Sequence, residues 1–142
     1  MEKIIYIFHR NTSLSETLAW TLQLGTDLKA VCLQDPLQLK TVVEQAGLVL
    51  TEPEFFEKIL ENSIGFSFPV LLIANNPEFD KTIEALYTGA DDIVDPGNGP
   101  EEIIEKTNQL LHQLKTFHPK KLFHYQAINY YLFYKVQIVY LH

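Results

Sequence analysis

Residues 68–94 constrain the fold of this chain most, because they contain a strand, a helix and a second strand with every junction marked. Residues 70–74 form a short, unbroken apolar run, which is typical of a strand covered on both faces. A turn with a proline follows at residues 75–77 and begins a helix, which Gly89 ends. Ile93 and Val94 then begin another buried strand. Such short connections predict a right-handed crossover unit with parallel strands.

The rest of residues 1–115 repeats this alternation of strand and helix. Apolar runs predict three further buried strands, at residues 3–8, 28–33 and 48–50. Capping residues, first-turn prolines and terminal glycines predict the remaining helices, at residues 13–25, 36–47, 53–60 and 101–115. The pattern therefore comprises five strands and five helices in strict alternation.

Two of these helices allow more detailed predictions. In the first, Asn11, Thr12 or Ser13 can cap the N-terminus, and Glu16 has the capping-box spacing from Ser13. Its predicted core face consists of five apolar residues: Leu14, Leu18, Trp20, Leu22 and Leu24. The predicted core face of the second helix consists of four: Leu39, Val42, Val43 and Ala46. Gly47 is expected to stop this second helix.

Strict alternation with short connections predicts an α/β fold in which helices cover both faces of a doubly wound parallel sheet. The expected strand order is 2-1-3-4-5, the flavodoxin-like order, with a crevice at the carboxyl ends of strands 1 and 3. Residues 8–10 and 51–53 line this crevice. No G-x-G-x-x-G motif follows the first strand, so flavin or dinucleotide binding is disfavoured and no cofactor is predicted.

Composition narrows the class of protein further. A chain of 142 residues suits one compact domain with a short extension. The sequence lacks a run of about 18 apolar residues and a signal-peptide pattern at its start, so we expect a cytoplasmic protein that does not enter membranes. The single cysteine, Cys32, lies in an apolar run and is interpreted as a small core residue.

The charged residues are distributed unevenly along the chain. All 18 acidic residues precede residue 116, whereas Lys120, Lys121 and Lys135 follow it. The acidic first part would repel a phosphate backbone, so this domain alone is not expected to bind nucleic acid.

Three segments in order, PVLLIANN, EALYTGADDIV and PEEIIEKTNQLL, resemble the response-regulator receiver domain of two-component signalling. The resemblance covers residues 3–115. It implies a domain that accepts a phosphoryl group on an aspartate ending strand 3 and holds magnesium with an acidic pair ending strand 1. It also implies a threonine or serine ending strand 4 and a lysine near the end of strand 5.

The residues at these positions depart from the family pattern. Phe8 and His9 stand where the acidic pair belongs, and a shift of one residue brings in Arg10. Magnesium prefers oxygen ligands, so no metal is expected at this edge. Glu52 falls at the phosphoacceptor position.

The remaining positions also differ. Ala74 replaces the hydroxyl residue, Asp95 lies nearest the lysine position and Ile93 replaces the switch aromatic. By the same resemblance, Asp91 and Asp92 belong to the turn before strand 5 and are structural. Phosphoryl transfer relies on metal and lysine to neutralise developing charge, so conventional phosphorylation is not expected.

Glu52 is open to several interpretations. Its longer carboxylate could stand in for a phosphoaspartate, or it could be an exposed loop carboxylate beside a helix N-terminus. His9 and Arg10 could also form an ion pair with it across the crevice. No serine or cysteine nucleophile lies at this edge, and the other histidines lack metal-ligand spacing, so neither an enzyme activity nor catalytic residues are predicted.

Residues 116–121 form a predicted linker, and residues 122–142 a β-rich tail with five of the seven tyrosines. The tail resembles the first strands of the sheet before the winged-helix DNA-binding domain in transcription-factor response regulators. It is either the beginning of such an effector domain or an orphan hairpin. Because its apolar edge lacks acidic or proline guards, we expect a homodimer or higher oligomer, unless the tail lies on its own domain.

The sequence thus predicts an atypical, phosphorylation-independent receiver-like domain of a transcriptional regulator, with DNA bound only through a further C-terminal domain. The alternative is a stand-alone module that binds a protein partner or a small ligand. If the body of the domain self-associates, the resemblance implies the face of helix 4, strand 5 and helix 5, whose charged residues are Lys81, Glu84, Asp91, Asp92 and Lys106.

Overall fold

The structure is a computed structural model that describes residues 2–74 and 79–115, except for the side chains of residues 79, 80, 114 and 115. The strands are β1 (Ile4–Phe8), β2 (Lys29–Leu33), β3 (Ala46–Thr51), β4 (Val70–Ile73) and β5 (Asp92–Val94). The α-helices are α1 (Thr12–Gly25), α2 (Leu39–Val42), α3 (Phe56–Glu61), α4 (Phe79–Thr88) and α5 (Pro100–Lys115). The predicted turn at residues 75–77, the linker and the tail lie outside the described residues.

All five strands are parallel and their order is β2-β1-β3-β4-β5, so the predicted doubly wound fold is confirmed. Phe8 pairs with Leu33 on one side and with Thr51 on the other. The carboxyl ends of β1 and β3 therefore lie side by side, where the strand order reverses and a crevice is expected.

Each face of the sheet carries its own apolar core, because strands buried on both sides send alternate residues to opposite faces. One core includes Tyr6, Phe8 and Leu72 and packs beneath α2, α3 and α4. The other includes Ile5, Ile7 and Leu71 and packs beneath α1 and α5. No helix among the described residues is long and apolar enough to cross a membrane.

Helix α1 buries a narrower stripe than its apolar content suggests. Trp20 and Leu24 are 68% and 81% exposed, so their predicted place in the core face was wrong. The buried residues are Ser15, Leu18 and Leu22, spaced at three and four along one face. The capping side chain is Asn11, which accepts from the Leu14 amide at 3.1 Å, and the predicted capping box from Ser13 does not form.

The second helical region is shorter than predicted. It consists of a 3₁₀ turn (Pro36–Gln38), α2, and another 3₁₀ turn (Val43–Gln45). Ala46 and Gly47 begin β3 instead of ending the helix. A Cβ atom on Gly47 would lie 2.9 Å from Cβ of Lys3, so this glycine allows close approach of the chain entering β1.

Further helical turns of 3₁₀ type lie at Pro53–Phe55 and Pro96–Asn98. The first precedes α3, on which Phe56 and Ile59 are buried while Leu60 is exposed. Cys32 is only partly buried, and its thiol donates to the carbonyl oxygen of Ser15 at 3.2 Å.

Candidate functional site

The crevice at the carboxyl ends of β1 and β3 contains Glu52, which directly follows β3. Its amide donates to the carbonyl oxygen of Phe8 at 3.2 Å, so the backbone places its carboxylate beside the end of β1. The side chain of Glu52 is only 7% exposed. A carboxylate so deeply buried requires a partner, because removing a charge from water is costly.

Arg10 supplies that partner from the end of β1. Its Nη2 and Nε lie 3.0 and 3.1 Å from Oε2 of Glu52. Its backbone amide donates to the other carboxylate oxygen, Oε1. One residue thus satisfies both oxygens of Glu52, and the ion pair that the sequence allowed between these residues is present.

The same guanidinium reaches a second acid at the rim of the crevice. Nη1 and Nη2 of Arg10 lie 2.9 and 3.0 Å from Oε2 and Oε1 of Glu54. Arg10 is 63% exposed, so it covers Glu52 from the solvent side. The interpretation of Glu52 as an exposed loop carboxylate was therefore wrong, because Arg10 buries and neutralises it.

His9 lies in the crevice but does not complete the ion pair. Its Nδ1 accepts the amide hydrogen of Asn11 at 3.0 Å and therefore carries no proton. Burial lowers the pKa of His9, with Arg10 adding to the effect, although the charge of Glu52 opposes it. We assign His9 as neutral at pH 7, so its 3.7 Å separation from Glu52 is not an ionic contact.

The other positions compared with the receiver pattern serve local structure. Phe8 is fully buried in the core beneath α2 to α4. The amide of Ala74 donates to Val94, and the side chain of Asp95 caps a 3₁₀ turn by accepting from Gly97 at 2.8 Å. Ile93 packs against the same core as Phe8. The side chains of Phe8, Asp95 and Ile93 are thus engaged in local structure, and Ala74 contributes a backbone hydrogen bond to β5.

The charged residues around β5 are also engaged within the domain. The carboxylate of Asp91 accepts from the Val70 amide at 2.7 Å, which ties the turn before β5 to the start of β4. Nζ of Lys106 lies 3.5 Å from Oδ1 of Asp92 and 3.5 Å from Oε1 of Glu102. The face expected for self-association therefore has less free charge than its sequence suggests.

Among residues 2–74 and 79–115, no group of three His, Cys, Asp or Glu side chains is arranged to hold a metal ion. The crevice instead presents the Arg10 guanidinium, which is already paired with the carboxylates of Glu52 and Glu54. Glu54 was not foreseen as a member of the site, although its place two residues after Glu52 was a usable signal.

Known structures share this fold at low sequence identity. A response regulator receiver domain protein (CheY-like) from Methanospirillum hungatei is 16% identical, has a TM-score of 0.66, and aligns over 81% of this chain and 98% of that one. HP1043, an orphan response regulator of H. pylori, is 18% identical, has a TM-score of 0.62, and aligns over 77% of this chain and 96% of that one. A putative pilus assembly-related protein from Burkholderia pseudomallei is 12% identical, has a TM-score of 0.64, and aligns over 78% of this chain and 90% of that one. No protein-family model and no curated protein matches the sequence.

Proposed function

We propose that this chain is the receiver-like regulatory domain of a cytoplasmic response regulator that works without phosphorylation, through contacts with other proteins. One observation carries the proposal: Arg10 pairs with a buried Glu52 at the point of the fold where receiver domains keep their phosphoacceptor. The shared fold supports the comparison of positions, and the pairing supports the loss of the usual chemistry.

The pairing argues against phosphoryl transfer on electrostatic grounds. An acceptor must be free to attack, and its metal and lysine must neutralise the charge that develops. Here the Arg10 guanidinium already holds the carboxylate, and Phe8 and His9 offer no oxygen ligands. Because the Arg10 guanidinium occupies the crevice permanently, the domain would not alternate between phosphorylated and unphosphorylated states. Its activity would then be controlled by binding partners.

The composition of residues 122–142, which resembles the first strands before a winged-helix domain, supports the regulatory part of the proposal. The domain is not an enzyme and uses no cofactor. If a winged-helix domain accompanies this chain, any DNA binding belongs to that domain, and self-association or a protein partner transmits the regulatory signal.

The proposed state of the crevice is testable by magnesium titration of the full chain, followed through amide NMR signals. Arg10 and Glu52 amides should not shift at millimolar magnesium. As a matched control, Arg10→Asp together with His9→Asp restores an acidic end to β1 and should create a saturable shift. Saturable shifts at Arg10 and Glu52 in the unmodified chain would contradict a closed crevice.

A second candidate is an assembly module without a DNA-binding partner domain. It is favoured by the fold likeness to the putative pilus assembly-related protein of Burkholderia pseudomallei, which aligns over 90% of its length. The coding sequence after codon 142 separates the two: a basic recognition helix supports the regulator, whereas its absence supports a module that binds a protein or small ligand.

A further inference from the structure

A groove of about 870 Å³ lies at the end of the sheet opposite the crevice, where the strands begin. Its apolar lining includes Leu28, Ala46, Phe68 and Leu111. These come from the entry to β2, the start of β3, the entry to β4 and the second half of α5. Its volume falls within the range of about 300 to 1,000 Å³ of pockets that bind ligands.

The position of this groove places it next to the chain that leaves α5. Leu111 and His112 line it, and α5 ends three residues later at Lys115. The six residues 116–121 can span at most about 20 Å when extended. Residues 122–141 therefore begin within reach of the groove of their own chain, which gives that docking a high effective concentration.

The charges at the groove also match this segment. Its lining contains two acids, Asp27 and Glu105, and one lysine, Lys3, so acid is in excess by one charge. Lys120 and Lys121 precede the apolar segment, and residues 122–141 contain no acid. Aromatic side chains each bury about 150 to 250 Å² and gain most from an apolar groove. The composition of the segment thus complements that of the groove.

The edge of the sheet at β5, by contrast, opposes strand addition. The amide of Ile93 donates to the Asp92 carboxylate at 2.7 Å, and its carbonyl oxygen accepts from Nζ of Lys106. At the other edge, on β2, the Ala30 amide donates to Oε1 of Gln23 at 3.3 Å. Side chains that occupy outward backbone groups in this way guard an edge against pairing.

We propose that some of the aromatic side chains of residues 122–141 dock in this groove of their own chain, and that they tie the segment after α5 to the end of the sheet where the strands begin. This inference does not depend on the proposed function, because it concerns the end of the domain away from Glu52. It favours the exception that the sequence left open, in which the tail lies on its own domain and does not mediate self-association.

A photo-crosslinking amino acid at position 130 of the full chain tests the contact directly. Peptide mapping should place its crosslinks on residues 26–29, 46–47, 67–68 and 105–112. A mixture of isotopically light and heavy chains should give crosslinks within one chain only. Mixed light-heavy crosslinks, or crosslinks that avoid these residues, would overturn the proposal.

A charge placed in the groove provides an independent measurement. Ser67 is exposed and lines the groove, so Ser67→Glu should leave the fold intact by circular dichroism. It should raise the hydrogen-exchange rates of amides 122–141 by about tenfold. The matched control Ser13→Glu, on the exposed start of α1, should leave these rates unchanged. Equal rates in both variants would also overturn the proposal.

Discussion

Separating Arg10 from Glu52 should destabilise the domain by an amount that their burial allows us to bound. Removing one partner of a fully buried ion pair costs about 3 to 5 kcal/mol. Arg10 is 63% exposed while Glu52 is 7% exposed, so water will screen part of this cost. We therefore expect Arg10→Met and Glu52→Gln each to lower the free energy of unfolding by about 1 to 2 kcal/mol.

The double variant distinguishes this pairing from unrelated damage. If the two residues act on each other, their coupling energy in a double-mutant cycle should be about 1 kcal/mol. Urea denaturation of the four proteins measures it, and in a chain of this size a loss of 1 kcal/mol should lower Tm by about 3 to 5 °C. Glu54→Gln is the matched control and should cost about 0.5 kcal/mol. Additive effects of Arg10→Met and Glu52→Gln would refute the argument that the pair closes the crevice.

Three other substitutions test separate features. The pKa of His9 is lowered in the folded state, so as the pH falls below about 6.5 the unfolded chain takes up this proton first and the folded state loses stability. In His9→Asn the amide oxygen can still accept from the Asn11 amide, and the loss of stability between pH 7 and pH 5 should be smaller in urea titrations. Lys106→Met leaves the Ile93 carbonyl without its donor and should lower the free energy of unfolding by about 1 to 2 kcal/mol, with association visible by sedimentation. Thr107 has a buried hydroxyl without a hydrogen-bond partner among the described residues, so Thr107→Val should raise the free energy of unfolding by about 1 kcal/mol. A lower free energy of unfolding in urea denaturation would show that the hydroxyl has a partner.

The sheet could be predicted from the sequence because each strand is a separate apolar run between turn residues. The strict alternation of strands and helices predicted a parallel, doubly wound sheet, and the strand order was the one expected for such a sheet at this size. The limits of α2 could not be predicted, because Ala46 and Gly47 fit the end of a helix as well as the start of a strand. Only the contact between β3 and the chain entering β1 decides between them.

Exposure was harder to predict than position. Trp20 and Leu24 are apolar, but the line of contact between α1 and the sheet passes through Leu18 and Leu22. The position of Glu52 and a possible ion pair with Arg10 followed from the sequence. Its burial did not, because it depends on how the Arg10 guanidinium lies over the carboxylate. Sequence spacing constrains neighbours along one helix or strand, whereas the side-chain partners of a crevice depend on how separate strands meet.

We propose that the Arg10–Glu52 pair has replaced phosphoryl chemistry in this crevice. Intact-mass measurement of the full chain after incubation with acetyl phosphate and magnesium tests it most directly. We expect an unchanged mass in both the original chain and the Glu52→Gln variant. A stable gain of one phosphoryl group that disappears in Glu52→Gln would contradict it.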